Sequence, residues 1–286
     1  MRWAAAGLIP ADPAAMTPEV ARGIREMGFS GASWHLVGRD AWPVVAMREM
    51  ARRLAEAGVM LAQLLPPAHP SLVAPDPAVR REGVEQMIAL VAIARQIGAG
   101  NLYVRPGSVS PAHAWSTHAD NHLPETRARL VESLRPLAKA AEAEGVTLAV
   151  EGHVVSPLDT PEETRAVIEA VGSPTLRFNV DPVNFIGTVT DAYRSTGLLT
   201  RLFEQLGRYV VSAHAKDVTV EDRHVVHLSE VVPGRGHFDH ATFLRLFEAH
   251  CPDGFLIIEH LPREQVAEAR AFLGGVAARL GLTARE

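Results

Sequence analysis

The chain has 286 residues, 47% of them hydrophobic and 21% charged, with a formal charge of −5 when histidine is counted neutral. That length allows one or two domains or a single large barrel of about 250 residues, and 22 glycines with 20 prolines fall short of the ~25–30% typical of low-complexity disorder. The single cysteine, Cys251, excludes an intramolecular disulfide and any cysteine-based zinc or iron–sulfur site, and mild acidity with scattered arginines disfavours a nucleic-acid partner.

From the N-terminus, the apolar residues 3–9 stop at Pro10 and Asp12, too short for a membrane span or signal, so they read as a strand of a cytoplasmic protein with no membrane partner. Further strands are expected at 30–35, 59–65, 101–105, 146–151, 176–181, 209–214 and 255–259, the first being 2–7. Between them, Thr17-Pro18, Asp76-Pro77 and Thr160-Pro161 each set a capping oxygen before a proline that opens a helix, and Thr160 with Glu163 fits a capping box. Gly28, Gly58, Gly98, Gly145 and Gly172 mark helix ends. Over 44–54, Val44, Met47, Ala51 and Leu54 form one apolar stripe. Pro136 interrupts the helical pattern 124–144 and predicts a kink or a split helix.

Eight strand–helix alternations, with several strands apolar on nearly every residue, indicate a parallel sheet covered on both faces. The expected fold class is α/β, a (β/α)8 TIM barrel, as one domain over 1–286; a doubly wound open sheet is the alternative.

Each of the last four strands ends in a metal-competent side chain: Glu151, Asp181, His214 and Glu259. In a parallel barrel all strand C-termini open on one face, so the four can converge. Three carboxylates packed together repel and resist desolvation, which one divalent ion relieves. Mn2+ is expected, with Mg2+, Co2+ or Zn2+ also suiting three oxygen donors and one nitrogen.

With Asp181-Pro182-Val183-Asn184, His214-Ala215-Lys216-Asp217 and Gly234-Arg235-Gly236 between these strand ends, the sequence resembles the xylose-isomerase-like barrel superfamily of sugar-phosphate isomerases and epimerases over essentially its whole length. The resemblance implies an enzyme that abstracts a proton beside a metal-bound carbonyl of a small sugar-like substrate. Glu151 and Glu259 then serve as metal ligands and as general base or acid; members of that superfamily often form homo-oligomers, dimers or tetramers, though the sequence itself does not set the oligomeric state. A dehydratase of the same fold, or a non-catalytic metal- or sugar-binding barrel, is the alternative. The ketose 3-epimerases of that superfamily carry glutamate, arginine and histidine where this chain has Pro157, Val220 and Asn184. That departure points away from that branch. Asp222, Arg223 and His224 echo part of the set of the endonuclease relatives, but Asn184 replaces an expected ligand.

Candidate substrate contacts flank the metal set. Arg105 ends the fourth strand and is expected either to bind an anionic or polyhydroxylated substrate or to pair with a loop carboxylate. Lys216, two residues past His214, points either toward ion or substrate or to Asp217. His153 could donate to substrate or hydrogen-bond a neighbouring loop, and a supporting role behind the ligands is favoured. In the segment 233–239, small residues allow close approach to a ligand, Arg235 offers an anion contact and Asp239 a helix cap. Trp34 and His35 read as core or pocket wall. The long connection 106–123, with His113, Trp115, His118 and His122, is expected to be a polar loop covering the site rather than a second metal centre.

Overall fold

Helix ends fall where the sequence places its punctuation. Thr17, Asp76 and Thr160 accept hydrogen bonds from the backbone N–H groups of Val20, Ala78 and Glu163, and Asp239 accepts from Thr242 N. The Thr160 half of the expected capping box forms, whereas the Glu163 carboxylate meets Arg127 at 3.2 Å. Gly98, Gly145 and Gly172 close their helices in the left-handed region, at φ of 65°, 65° and 72°.

The computed structural model describes residues 1–37 and 43–285. Its strands are β1 (Arg2–Ala5), β2 (Gly31–His35), β3 (Met60–Leu65), β4 (Leu102–Val104), β5 (Leu148–Val150), β6 (Leu176–Val180), β7 (Val210–Ala215), β8 (Asp217–Val220), β9 (Leu228–Val231) and β10 (Phe255–Ile258). The α-helices are α1 (Pro18–Glu26), α2 (Val44–Glu56), α3 (Pro77–Ile97), α4 (Pro124–Glu144), α5 (Pro161–Val171), α6 (Val189–Tyr193), α7 (Ser195–Leu206), α8 (His240–His250) and α9 (Arg263–Arg279). Pro136 does not split α4, which runs unbroken over its 21 residues. Ser133, Leu134, Leu137 and Ala138 are buried around it, so packing on both sides outweighs one lost backbone hydrogen bond.

β1 pairs in parallel with both β2 and β10, so the order β1-β10-β7-β6-β5-β4-β3-β2 closes on itself. The expected (β/α)8 barrel is observed and the open sheet is excluded. Alternation along each strand divides two environments. Trp3, Ala5, Leu256 and Ile258 join the large apolar core, while Ala4, Ala62, Phe255 and Ile257 form a small separate cluster, as a packed barrel interior requires. The interior departs from the expected continuous apolar packing. Gln63, Asn101, Asn179 and Ser212 are buried there and hydrogen-bond one another.

The antiparallel β8–β9 hairpin lies outside the eight expected strands. Its anchor is Asp217, whose carboxylate accepts hydrogen bonds from the N–H groups of Val218, Gly234, Gly236 and Phe238 at 2.8–3.1 Å and faces His240 Nε2 at 3.1 Å. The glycines of segment 233–239 thus wrap the chain's own carboxylate rather than a ligand. A Cβ at Gly236 would collide with Asp217 Oδ1.

Candidate metal centre

Strand alternation carries the ionisable groups to one place. Asp181, His214 and Glu259 each stand two residues beyond an interior position, Asn179, Ser212 and Ile257, and Glu151 directly follows the adjacent β5; all four are buried. Ligand atoms of Glu151, Asp181 and His214 all lie within 4.8 Å of one another. Glu259 stands at the edge of this triad, its Oε1 3.0 Å from His214 Nδ1. The group opens on a cavity of about 520 Å3 whose walls include Tyr103, Arg105, His153, Asn184 and Lys216.

The buried amides fix how the ligands face. Gln63 Nε2 donates toward Asn101 Oδ1 and Asn179 Oδ1, at 3.1 and 3.3 Å, so its Oε1 is left to accept from His214 Nε2 at 3.0 Å. With Nε2 donating to Gln63, Nδ1 is the nitrogen turned toward the carboxylates, and it becomes an ion's donor once its proton is displaced. Glu151 accepts from Tyr103 Oη at 2.7 Å, Asn179 Nδ2 at 2.5 Å and Asn184 Nδ2 at 2.9 Å, the surroundings of an ionised carboxylate.

Lys216 enters the carboxylate group itself. Its Nζ lies 2.7 Å from Asp181 Oδ2 and 3.0 Å from Glu259 Oε1, while Asp217 is taken up by backbone N–H groups, so the alternative Lys216–Asp217 bridge does not form. With His214 neutral, as an ion's ligand must be, three carboxylates and one ammonium leave two negative charges, which one divalent cation cancels. Burial alone would lower the His214 and Lys216 pKa values, yet the neighbouring carboxylates hold both well above their ordinary range. Burial would raise Asp181 and Glu259, but Lys216 and His214 win and pull them down, Glu259 the further.

The donor set fits an ion. Both Asp181 oxygens and His214 Nδ1 are buried without a partner in hydrogen-bond geometry, although Lys216 Nζ and Glu151 Oε2, 2.9 Å from Nδ1, are near enough for charge attraction. Unpartnered buried polar atoms aimed at a common point are costly unless a ligand meets them, and carboxylate oxygens with imidazole nitrogen are donors for a hard or borderline divalent metal.

The remaining candidates divide. Arg105 Nη1 donates to Pro66 O at 3.0 Å and its Nη2 is 3.4 Å from His35 Nε2. No carboxylate lies within ion-pair distance of it among the described residues. His153 lines the cavity, accepts from Val155 N at 3.1 Å, and is pushed down in pKa by burial, keeping the ring neutral. Arg235 makes a two-pronged ion pair with Glu268 on α9, at 2.8 and 2.7 Å, and is not among the residues lining the carboxylate cavity. Trp34 is core, donating to Pro10 O, whereas His35 reaches the cavity. His122 pairs with Asp159 at 2.7 Å and His118 caps a turn, as a polar loop would have it. Gln63, Asn101, Tyr103, Asn179 and Ser212 are the site residues that sequence reading overlooks.

The family described as xylose isomerase-like TIM barrel matches residues 21–274, whereas no curated protein matches the chain significantly. Among solved structures, the chain is similar to a xylose isomerase domain protein from Planctomyces limnophilus, at a TM-score of 0.74 and 19% identity over 98% of each chain. It is also similar to a xylose isomerase-like TIM barrel protein from Mycobacterium smegmatis in complex with magnesium, at 0.72 and 19% over 97% of each. A third is 3-keto-D-glucoside 4-epimerase from E. coli, at 0.70 and 18% over 96% of this chain and 99% of that one. At these identities the likeness is one of fold.

Proposed function

The chain belongs to the xylose isomerase-like TIM barrel family, and from that premise we propose that it is a divalent-metal-dependent isomerase or epimerase acting on a small sugar or sugar-derived hydroxy-carbonyl compound. The convergence of Asp181 Oδ1 and His214 Nδ1, neither with a partner in hydrogen-bond geometry, with Glu151 at the foot of the cavity carries this reading. Glu151, Asp181, His214 and Glu259 are the residues to hold the ion. Bound there, Mn2+, favoured over Mg2+, Co2+ or Zn2+, supplies Lewis acidity that lowers the cost of negative charge developing at a carbonyl.

The chain's own groups handle the proton. Glu259, kept ionised by His214 and Lys216, takes a proton from the carbon beside the carbonyl. Glu151, steered by Tyr103, Asn179 and Asn184, stands on a different strand, takes up a proton from solvent and returns it from another direction, and Glu259 gives its proton back to solvent after turnover. Return on the opposite face inverts the centre; return at the neighbouring carbon isomerises it. Neutral His153 and the Arg105 guanidinium hold substrate oxygens. The partner is a small molecule, and neither nucleic acid nor membrane is called for; among the described residues no helix is long and apolar enough to cross a membrane.

Incubation of the manganese-loaded chain with a panel of ketoses in D2O, followed by NMR, tests this. Deuterium enters beside the carbonyl, and Glu151→Gln or Glu259→Gln slows exchange about 10²–10⁴-fold with the fold retained. Exchange unchanged in either variant removes that residue from the chemistry. An unsaturated product identifies a dehydratase, and a bound ion with no exchange on any ketose leaves a binding barrel.

A further inference from the structure

A second cavity of about 670 Å3 lies beside the one that holds the carboxylates and shares three wall residues with it: His35, Arg105 and Trp115. Each volume falls in the range of about 300–1,000 Å3 that accommodates a drug-sized ligand, so a free pentose or hexose needs only the first. The walls of the second differ in character. Ala74, Pro75, Val79, Val109, Pro111 and Ala112 make much of its lining apolar, with His69, Asp76, Ser110 and His113 between them, a surface suited more to an apolar ring than to a chain of hydroxyl groups.

This side chamber is built in advance. Gly107, at φ +90°, lays the connection 106–123 against Ser71, where a Cβ would come within 2.6 Å of Ser71 Oγ. Ser71 Oγ donates to Ser108 O at 2.7 Å. Buried Asn121 accepts from Val109 N at 2.8 Å and donates to Ser116 O at 3.1 Å and Val155 O at 2.8 Å. A wall ordered before binding spares the ligand that entropy cost. Trp115 is half-buried at the doorway, its ring 5.7 Å from that of His153, which lines the carboxylate cavity. The doorway guanidinium of Arg105, held by two proline carbonyls, has no carboxylate partner among the described residues.

We propose that the substrate has two parts: a polar hydroxy-carbonyl head over the carboxylates and an apolar, aromatic-sized substituent in the side chamber. Arg105 and Trp115 hold the linkage between them. The inference rests on the functional reading above and names the substrate class of that same site: a sugar-like compound bearing an apolar group, rather than a free ketose.

Calorimetric titration of the manganese-loaded chain with methyl β-D-glucopyranoside and with 4-nitrophenyl β-D-glucopyranoside, non-reacting analogues that keep the hydroxylated head without its carbonyl, isolates the substituent. The aryl glucoside binds about tenfold more tightly or better. Val79→Phe, which narrows the chamber, and Ala112→Asp, which charges its wall, each bring that ratio close to one while leaving the methyl glucoside unaffected. Ala112 is exposed, so its variant tests the chamber even if Val79→Phe folds poorly. Equal affinities in the parent chain, no saturable binding of the aryl glucoside, or a ratio that survives both substitutions overturns the inference. Exchange on free ketoses with no aryl preference sinks the side chamber and spares the proton-transfer reading; aryl preference without exchange does the reverse.

Discussion

Gln63 shows how one uncharged side chain sets the chemistry of a charged one. Its carbonyl oxygen accepts from His214 Nε2 while its amide nitrogen is committed to Asn101 and Asn179, which leaves His214 Nδ1 for an ion. Gln63→Leu keeps the volume but removes the acceptor. It should weaken manganese binding about 10–100-fold, measured by competition with a chromophoric chelator, and an unchanged affinity would strip Gln63 of this role. Glu151, Asp181, His214 and Glu259 were legible in the sequence because each ends an apolar run, where an ionisable group is conspicuous. Gln63, Asn101, Asn179 and Ser212 were not, since one amide or hydroxyl within a buried strand has many structural explanations. Their signal lay in spacing: Asn179 and Ser212 precede Asp181 and His214 by two residues, so alternation sends both members of each pair inward. Lys216 and Arg235 looked equivalent as basic residues near strand ends, yet one enters the carboxylate group and the other pairs with Glu268.

At the scale of elements, the segment after β7 departs furthest from expectation. The β8–β9 hairpin and the 233–239 turn are drawn together by the Asp217 carboxylate, whose partners are backbone N–H groups 17 to 21 residues away as well as the adjacent one. Backbone donors leave no trace in residue identity, so nothing local announced this. Burial would raise the Asp217 pKa, but His240 and the N–H groups of Phe238 and Gly234 pull it below the usual carboxylate range. A carboxyl depressed in the folded state contributes stability that is present above its unfolded pKa of about 3.9 and is lost as pH falls through the lower folded value. Urea unfolding between pH 6 and about 2 should therefore show the parent chain losing stability in that acid window, with Asp217→Asn flatter there. At neutral pH that variant should be less stable by about 2–3 kcal/mol. Parallel curves for the two proteins would refute the assignment. Elements with local signals fared better: the caps at Thr17, Asp76, Thr160 and Asp239 and the left-handed glycines closed their helices as expected, while α4 continued through Pro136 because its flanking residues are held by packing.

For the whole molecule, closing the barrel forces three carboxylates into one buried place, and Lys216 offsets only one of their charges. An ion that binds the folded chain and not the unfolded one adds about 2.7 kcal/mol at a hundred times its dissociation constant, roughly a 5 °C rise in midpoint for a chain of this size. Thermal scans with manganese and after chelation measure it, and coincident midpoints would mean that no ion enters. The sequence by itself determined the eight barrel strands in their chain order, to within a few residues, the helix caps and the ionisable residues at the strand ends, because periodicity, caps and apolar runs are local properties of a chain. Only the tertiary structure decided that the sheet closes, that Lys216 sits among the carboxylates, that the amides of Gln63, Asn179 and Asn184 orient His214 and Glu151, and that a second chamber opens beside the site. Those are contacts between residues far apart in the chain, and no local pattern specifies which of them meet.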